Sequence, residues 1–299
     1  MKKIQLKSIS RVVATAVPRR WTFSKSLNNW ALIGVGLGFL ALLVIVPLGY
    51  MFGYAVSKGL GVFWEAISSP EALFSLRFTL VLAVATTVIN AVMGTVIAFM
   101  LVRRRFPLKG FFDSVIDLPI AIPASVTGFT LLLLYGPLGM LGKIFSGAGI
   151  SIMFAFSGIL IAHTFMTLPY VVRAVGPVLQ EMDKSQEEAA QILGANNLQI
   201  FTSVILPSIK GGLIAGSVFT FARSLGEFGA TIMVSGNLAL RTQTAPLFIF
   251  SEFNKGNIEA ASSMSVILVI ISFVLFFGFK VITKILEKGG TKSAKRDIS

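Results

Sequence analysis

The stretch WALIGVGLGFLALLVIVPLGYMFGYAV, residues 30–56, is 27 residues long and contains no charged side chain. An α-helix rises about 1.5 Å per residue, so about 20 apolar residues cross the roughly 30 Å hydrocarbon core of a bilayer. We therefore predict a transmembrane helix here. The stretch follows a basic segment of 29 residues and is about twice as long as the apolar region of a signal peptide, so we expect it to be retained.

Five further apolar runs of similar length predict that the chain crosses the membrane repeatedly. They cover about residues 78–102, 115–135, 152–172, 211–234 and 263–279, and the last run could extend to residue 285. Pro119 and Pro123 interrupt the third run, and the fifth carries Arg223 and Glu227. The sequence thus predicts an all-α integral membrane protein with six transmembrane helices.

The overall composition supports this fold class and removes several kinds of chemistry. The chain is 55% hydrophobic and 13% charged, with a mean hydropathy of +0.83, which is too apolar for a soluble domain of this length. It has no cysteine and one histidine, so disulfides, thiol chemistry and a zinc cluster are not expected. We expect no metal site in this chain.

The net charge of +13 could suit nucleic acid, but its placement indicates membrane orientation. Twenty Lys and Arg residues fall in the N-terminal segment, the second and fourth loops and the C-terminal segment. The opposite side has five, and Arg223 is left inside the fifth run. Because cytoplasmic segments are enriched in Lys and Arg, both termini are predicted to be cytoplasmic.

The predicted spans divide the chain into three parts. Residues 1–29 form a basic cytoplasmic extension, which is either a surface-lying amphipathic helix or a disordered tail. Residues 30–287 form the transmembrane domain, and residues 288–299 form a short cytoplasmic tail. The three consecutive arginines 103–105 are interpreted as a topology anchor for the second span, in reach of anionic lipid.

The fourth loop, residues 173–210, is long but has the pattern of a folded helix-turn-helix. Ser185 and Glu188 form a capping-box pattern for a first helix, and Gly194 can end that helix in a left-handed conformation. Asn197 can cap a second helix, and Pro207 marks the entry to the fifth span. We expect a folded cytoplasmic element between two spans.

This loop resembles a signature of one transporter family. Glu188-Ala189-Ala190 is followed by three residues, Gly194, nine residues, Val204, one residue and Leu206-Pro207. The pattern is similar to the EAA loop of ABC importer permeases, with Val204 where that family usually has Ile. The resemblance implies that the loop docks into a groove of the ATP-binding subunit; the alternative is that Glu188 and Gly194 only begin and end their own helix. The residues to which it assigns coupling are Glu187, Glu188, Ala189, Ala190, Gly194, Leu206 and Pro207.

The resemblance also implies partner proteins. The chain has no G-x-x-x-x-G-K-[S/T] phosphate loop, and its one Gly-Lys pair, Gly142-Lys143, is followed by Ile144. We therefore expect no cofactor in this chain and ATP-Mg on a separate ATP-binding subunit, present as a dimer. The family further implies a second permease subunit, identical or paralogous, and an extracytoplasmic substrate-binding protein, in a bacterial-type cytoplasmic membrane.

Within the ABC permeases, residues 55–280 are most similar to the sulfate and molybdate group. The strings that carry this resemblance are Ser57-Lys58-Gly59-Leu60-Gly61, Arg105-Phe106-Pro107, Asp117-Leu118-Pro119, Leu225-Gly226-Glu227-Phe228-Gly229, Ser235-Gly236-Asn237 and Thr244-Ala245-Pro246-Leu247. The resemblance implies an importer of an inorganic oxyanion, with sulfate or thiosulfate favoured. The alternatives are molybdate or tungstate, or the same architecture carrying a polyamine, a metal ion or another solute.

Several residues are candidates for the translocation pathway, each with a purely structural alternative. Arg223 and Glu227 are four residues apart inside a span, where charged groups pair or face a water-filled cavity; they could equally join two helices. Prolines can break the third span and expose backbone groups, although packing kinks look the same in sequence. Ordinary turn chemistry explains the outer-loop candidates equally well. The full candidate set is Pro119, Pro123, Gly128, Arg223, Glu227, Gly236, Asn237 and Thr244.

Two other function classes fit the sequence poorly. A secondary transporter or channel has no use for a helical docking loop. An intramembrane enzyme needs a buried set of acid, base, metal or nucleophile, and the spans offer few such groups. His163 is interpreted as a neutral, hydrogen-bonded residue, with a proton relay as the alternative. No catalytic residue is expected in this chain.

Overall fold

The computed structural model describes residues 27–296, all of whose regular elements are helical. The predictions for residues 1–26 and 297–299 lie outside the described residues. The helices are α1 (Leu27–Leu40), α2 (Val46–Val56), α3 (Leu60–Ser68), α4 (Pro70–Arg103), α5 (Lys109–Ala121), α6 (Ala124–Tyr135), α7 (Met140–Gly147), α8 (Phe156–Glu181), α9 (Ser185–Ile192), α10 (Asn197–Ile200), α11 (Leu206–Leu225), α12 (Gly229–Val234), α13 (Ala245–Asn254) and α14 (Ile258–Arg296).

The described residues divide into two compact units, with the boundary after Met51. In the described part of the first unit, α1 passes through a π-helical turn, Ala41–Ile45, into α2. Its large apolar side chains are exposed, as Trp30 at 74% shows, which suits a helix surrounded by lipid or by other membrane helices. The predicted first span, residues 30–56, is confirmed as a helix of sufficient length and hydropathy.

The centre of the second unit is formed by α4, α8 and α11, which pack against one another. Small residues allow the close approach. A Cβ atom built at Gly94 of α4 would lie 2.8 Å from the Cβ atom of Val171 on α8, and one built at Gly216 of α11 would lie 2.8 Å from the Val171 Cα atom. Association of helices in a bilayer depends on such packing, since lipid supplies no hydrophobic drive between helices.

The third predicted span is broken, as its prolines indicate. Helices α5 and α6 are bent by 111° at the residues between them. Ile122 adopts an extended conformation (φ −85°, ψ 134°), which is the conformation that the following proline favours. Pro123 stands at the N-cap of α6, and Pro119 lies inside α5.

Within residues 27–296, five helical segments are long and apolar enough to cross a membrane, and a sixth results if the bent pair α5–α6 is one span. Helix α8, which contains the predicted fourth span, continues past the predicted end to Glu181. Helix α14 continues to Arg296, through most of the predicted tail. The predicted fifth span, about residues 211–234, is not a single helix. Helix α11 ends at Leu225, and after a break the short helix α12 begins at Gly229.

The start of the fifth span also differs from its prediction. Helix α10 is continuous with α11 through a second π-helical turn, Phe201–Ile205, and together they form one apolar segment, Asn197–Leu225. Pro207 follows this turn by two residues, as Pro47 follows the turn in the first unit. Proline cannot donate an N–H to the preceding turn, and a π-helical turn is one way for a helix to accommodate that loss.

Candidate coupling and translocation sites

The predicted helix-turn-helix is present as α9, a turn at Gly194 and α10. Gly194 has φ +86°, the left-handed conformation expected at a helix end. The predicted capping box of Ser185 and Glu188 is wrong, because the Ser185 side chain caps nothing and its backbone N–H donates to Asp183 Oδ1 at 2.9 Å. This hydrogen bond holds the pKa of the Asp183 carboxyl below its usual value, so the carboxylate is ionised at neutral pH.

The second cap lies one residue earlier than predicted. Asn196, not Asn197, caps α10. Its Oδ1 atom accepts from the Gln199 backbone N–H at 2.9 Å, and Gln199 Oε1 accepts from the Asn196 backbone N–H at 2.8 Å. This reciprocal pair is a complete capping box, and the N-x-x-Q pattern was readable from the sequence.

The outer surface of the coupling loop combines charge with exposed apolar side chains. Ile192, Leu193 and Leu198 are 86%, 88% and 71% exposed, and Glu188 is also exposed. Sequence reasoning missed these three apolar residues, although large apolar residues beside a turn glycine in a polar loop were the available signal. Such a patch is typical of a protein–protein contact.

The inner surface of the loop faces the helix bundle. Ala190 and Leu206 pack against the buried cluster that contains Leu101, Val175 and Ile209. Glu187 is half-buried and forms an ion pair with Arg103, with 2.7 Å between Oε1 and Nη2. A cavity of about 400 Å³ lies here, lined in part by Arg103, Glu187 and Glu188.

Helix α6 of the third span packs against α12, which follows the break in the fifth span. A Cβ atom built at Gly128 of α6 would lie 2.6 Å from the Ala230 carbonyl oxygen of α12, so the two backbones are in direct contact. Across the break before α12, Arg223 Nη1 lies 2.7 Å from Glu227 Oε2. The Glu227 side chain is fully buried, whereas that of Arg223 is 36% exposed.

Glu227 has a second role at the break. Its Oε1 atom accepts from the Ala230 backbone N–H at 2.9 Å, so one carboxylate both starts α12 and pairs with Arg223. The two residues are four apart in sequence, but the helix is interrupted between them at Gly226. Their pairing therefore depends on the geometry of the break and not on a continuous helix face.

His163 of α8 is buried between the two sides of the same break. Its Nδ1 atom lies 2.7 Å from Ser224 Oγ, and its Nε2 atom lies 2.8 Å from Thr231 Oγ1. Thr167 Oγ1 donates to the His163 carbonyl, and Asn90 Nδ2 of α4 donates to Thr167 Oγ1. The predicted hydrogen-bonded histidine is thus part of a network that joins α4, α8, α11 and α12.

The outer-loop candidates form a separate group. Gly236 (φ +69°) lies against Phe154, and Asn237 also has positive φ, at 50°. Asn237 Nδ2 donates to Ser251 Oγ at 2.8 Å, and Gln243 Nε2 donates to Asn237 Oδ1 at 3.0 Å. Thr244 is buried at the N-cap of α13. Turn geometry and local hydrogen bonds account for Gly236 and Asn237, and a role of the three residues in translocation stays a prediction.

One ion-pair cluster was missed by sequence reasoning. Arg173 of α8 donates to the Asp117 carboxylate from Nε at 2.8 Å and from Nη2 at 2.6 Å. Its Nη1 atom donates to Asp113 Oδ1 at 2.8 Å. Both aspartates lie on α5, so Arg173 joins α8 to α5. Two aspartates four residues apart on one helix face were the available signal. Within the described part of the chain, no group of three or more His, Cys, Asp or Glu residues gathers to hold a metal ion.

Comparison with known proteins places this geometry in context. A family model described as "Binding-protein-dependent transport system inner membrane component" matches residues 90–290. "Sulfate permease 2, chloroplastic" of Chlamydomonas reinhardtii is 44% identical over 245 residues, which cover 81% of this chain and 66% of that protein. "Sulfate transport system permease protein CysW" of Synechocystis sp. is 39% identical over 260 residues, covering 87% of this chain and 93% of that protein.

A solved structure has the same fold at much lower identity. The crystal structure of a bacterial alginate ABC transporter, in complex with an alginate pentasaccharide-bound periplasmic protein, contains a chain that superposes with a TM-score of 0.72. The sequence identity is 14%, and the match covers 86% of this chain and 94% of that chain. At this identity the match supports the helical architecture alone.

Proposed function

The chain belongs to the family of inner membrane components of binding-protein-dependent transport systems, and from this membership we propose that it is the permease subunit of an ATP-driven sulfate importer. It is a multi-pass protein of the cytoplasmic membrane and a transport subunit, not an enzyme. The predicted family of sulfate-type ABC permeases is confirmed.

The choice of sulfate rests on the relatives. Two proteins named as sulfate permeases are 44% and 39% identical to this chain over more than four fifths of its length. Molybdate, tungstate and other solutes are less favoured, because these relatives are named for sulfate. They serve as comparison substrates in the experiment below.

The observation that carries the coupling mechanism is the surface of α9. Glu188, Ile192 and Leu193 project from a folded loop and are exposed together. Burying apolar area against a partner is favourable by roughly 25 cal/mol per Å², so adjacent exposed Ile and Leu side chains favour docking. We assign this surface to the ATP-binding subunit, which would hold ATP and Mg²⁺ and drive the loop.

The remaining partners follow from the family. A binding protein would deliver sulfate to the outer mouth, and a second permease subunit, identical or paralogous, would complete the path. Alternating access would then be driven by the ATP-binding dimer through α9. Gly194 sets the turn between α9 and α10, and its positive φ makes that geometry specific.

We place the translocation path beside the α6–α12 contact. Pro119, Pro123 and Gly128 shape α5 and α6, and Gly128 brings α6 against α12. Arg223 is neutralised by Glu227, so the pair supplies no net positive charge to a sulfate ion. We therefore assign the pair to holding the break in the fifth span, not to binding the anion.

The test uses the purified assembly in lipid vesicles, with its ATP-binding subunits, second permease and binding protein. ATP hydrolysis is measured while sulfate, molybdate and tungstate are titrated separately. We expect sulfate to stimulate hydrolysis at the lowest concentration. The double variant Glu188→Ala, Gly194→Ala should lose this stimulation, because it lacks the docking carboxylate and strains the turn.

The outcomes separate substrate from mechanism. Stimulation by molybdate or tungstate but not by sulfate would contradict the substrate assignment and leave the family intact. Full stimulation of the double variant by sulfate would contradict the coupling role of α9. A double variant of two exposed outer residues, Leu138→Ser and Lys143→Gln, is the matched control and should retain stimulation.

A further inference from the structure

Arg103 lies where α4 and α8 end and α9 begins. It is the last residue of α4, and its Nη2 atom lies 2.7 Å from Glu187 Oε1 on α9. The same Nη2 atom donates to the carbonyl of Met182, the C-cap of α8, at 3.2 Å. One guanidinium group thus joins the coupling helix to the ends of two bundle helices.

Arg103 is buried, unlike the two arginines that follow it in the sequence. Its side chain is 8% exposed and that of Glu187 is 21% exposed, whereas Arg104 and Arg105 are exposed. A topology anchor requires only a charge on the cytoplasmic side, which the exposed arginines supply. Removing a guanidinium from water is costly unless it is paired, so the buried Arg103 has a specific partner and a different role.

Adjacent carboxylates of α9 point in different directions. Successive residues of an α-helix are rotated by about 100°, so Glu187 and Glu188 cannot face the same surface. Glu188 is exposed, and Glu187 turns inward to Arg103. One carboxylate is therefore available to a docked partner while the other attaches the helix to the bundle.

The other attachments of α9 are weak. None of its residues is buried, and Ala190 packs only partly buried against the core. A charge-assisted contact of a buried arginine is consequently the most specific inward contact of this helix. Helices α4 and α8, which Arg103 joins, are themselves in close contact at Gly94 and Val171.

We infer that the Arg103–Glu187 pair is the internal link that passes movement of the coupling helix to α4 and α8. This inference rests on the proposed docking of α9 to the ATP-binding subunit. When that subunit displaces α9, the ion pair pulls the end of α4, and the Met182 carbonyl ties the end of α8 to the same group. Without the pair, α9 moves while the bundle stays in place.

The experiment measures sulfate transported per ATP hydrolysed by the complete assembly in lipid vesicles. The variants are Arg103→Gln, Glu187→Gln, the neutral double variant of both, and the charge-swapped variant R103E/E187R. The matched control is Arg105→Gln, which removes the same charge from an exposed position two residues away. Co-purification of the ATP-binding subunit and the Tm of the assembly are measured for each variant.

We expect each single neutral variant to lower the transport ratio by about tenfold, within the range of allosteric coupling free energies. The neutral double variant should lose no more than either single variant, because both changes break one link. The charge-swapped variant should recover part of the ratio. Arg105→Gln should behave as wild type, and the ATP-binding subunit should co-purify with every variant.

Several results would overturn the inference. Single variants with the wild-type ratio, or a double variant whose loss is the product of the single losses, would show that no such link exists. Loss of co-purification in Glu187→Gln would make Glu187 a docking residue instead. If the charge-swapped variant does not assemble, the neutral double variant decides. Failure of the proposed function gives a different result, because the wild-type assembly itself would then transport no sulfate. The wild-type measurement therefore separates the two cases before any variant is compared.

Discussion

The Nδ1 atom of His163 lies 2.7 Å from the Oγ atom of Ser224, at the end of α11. The other ring nitrogen contacts Thr231 in α12, so the imidazole bridges the break in the fifth span. Thr231 Oγ1 donates its one hydrogen to the Glu227 carbonyl at 3.3 Å. Towards the imidazole it can therefore act only as a hydrogen-bond acceptor. The proton is accordingly assigned to Nε2, and Ser224 donates to Nδ1.

The first prediction concerns this bridge. His163→Leu keeps a similar volume but leaves the hydroxyls of Ser224 and Thr231 without the imidazole. A buried polar group without a partner costs about 1–3 kcal/mol, so the Tm of the assembly should fall by about 2–10 °C. Sulfate transport should fall as well, because the break is less well fixed. Thermal unfolding and uptake are measured on the same preparation.

Two side-chain variants serve as controls for this bridge. Ser224→Ala and Thr231→Ala each remove one hydrogen bond of the imidazole. Each should therefore lower the Tm of the assembly by less than His163→Leu does. A His163→Leu assembly as stable and active as wild type would show that the bridge contributes nothing.

The second prediction concerns the intramembrane ion pair. Glu227→Gln keeps an oxygen that can accept from the Ala230 N–H but removes the negative charge opposite Arg223. Breaking a buried ion pair by removing one partner costs about 3–5 kcal/mol, and the partial exposure of Arg223 reduces this to about 1–3 kcal/mol. We expect a lower Tm and impaired transport. The neutral double variant R223Q/E227Q should recover part of the Tm, and its failure to do so would argue against pairing as the cause.

The third prediction compares two glycines of opposite surroundings. Ala at Gly128 would place Cβ 2.6 Å from the Ala230 carbonyl oxygen, whereas Cβ at Gly211 of α11 meets no atom within 4 Å. Gly128→Ala should therefore destabilise the protein by about 1–3 kcal/mol through overpacking. Gly211→Ala should stabilise it by up to about 1 kcal/mol through helix propensity. Equal shifts in Tm for the two variants would contradict the close α6–α12 contact.

The fourth prediction concerns the docking surface. Leu193 on the coupling loop and Leu138 elsewhere on the surface are 88% and 89% exposed, so replacing either should leave the Tm of the permease nearly unchanged. Leu193→Ser should weaken binding of the ATP-binding subunit by about 1–2 kcal/mol, or roughly five- to thirtyfold. Leu138→Ser should not. A titration of the purified ATP-binding subunit measures both, and equal affinities would argue against docking at Leu193.

The spans were predictable because their length and hydropathy depend on local sequence alone. Residues 30–56 and the proline-broken third span required no knowledge of neighbours. Gly194 was predictable for the same reason, since glycine is the residue that most readily adopts the left-handed conformation at a helix end. The capping of α9 was not predictable, because Asp183 and Ser185 both suit a helix start. In the structure the Asp183 carboxylate accepts the hydrogen bond, from the Ser185 backbone N–H.

The break in the fifth span and the ion pairs between distant residues were not predictable from local sequence. Gly226 lies in an apolar run that reads as continuous helix, and the break is held by His163, which is 61 residues from Ser224. Arg103 and Glu187, and Arg173 and its two aspartates, lie far apart in sequence. Their partners depend on how α4, α5, α8 and α9 pack, which hydropathy does not specify.

The most direct test of the account is ATP-dependent uptake of radiolabelled sulfate by the complete assembly in vesicles. ATP is enclosed in the vesicle lumen, and the binding protein and sulfate are supplied outside. We predict uptake by the wild-type permease. The Glu188→Ala, Gly194→Ala variant should take up no sulfate, whether or not its assembly still hydrolyses ATP. Absence of sulfate uptake by the wild-type assembly while it takes up another anion, or unchanged uptake by the double variant, would contradict the account.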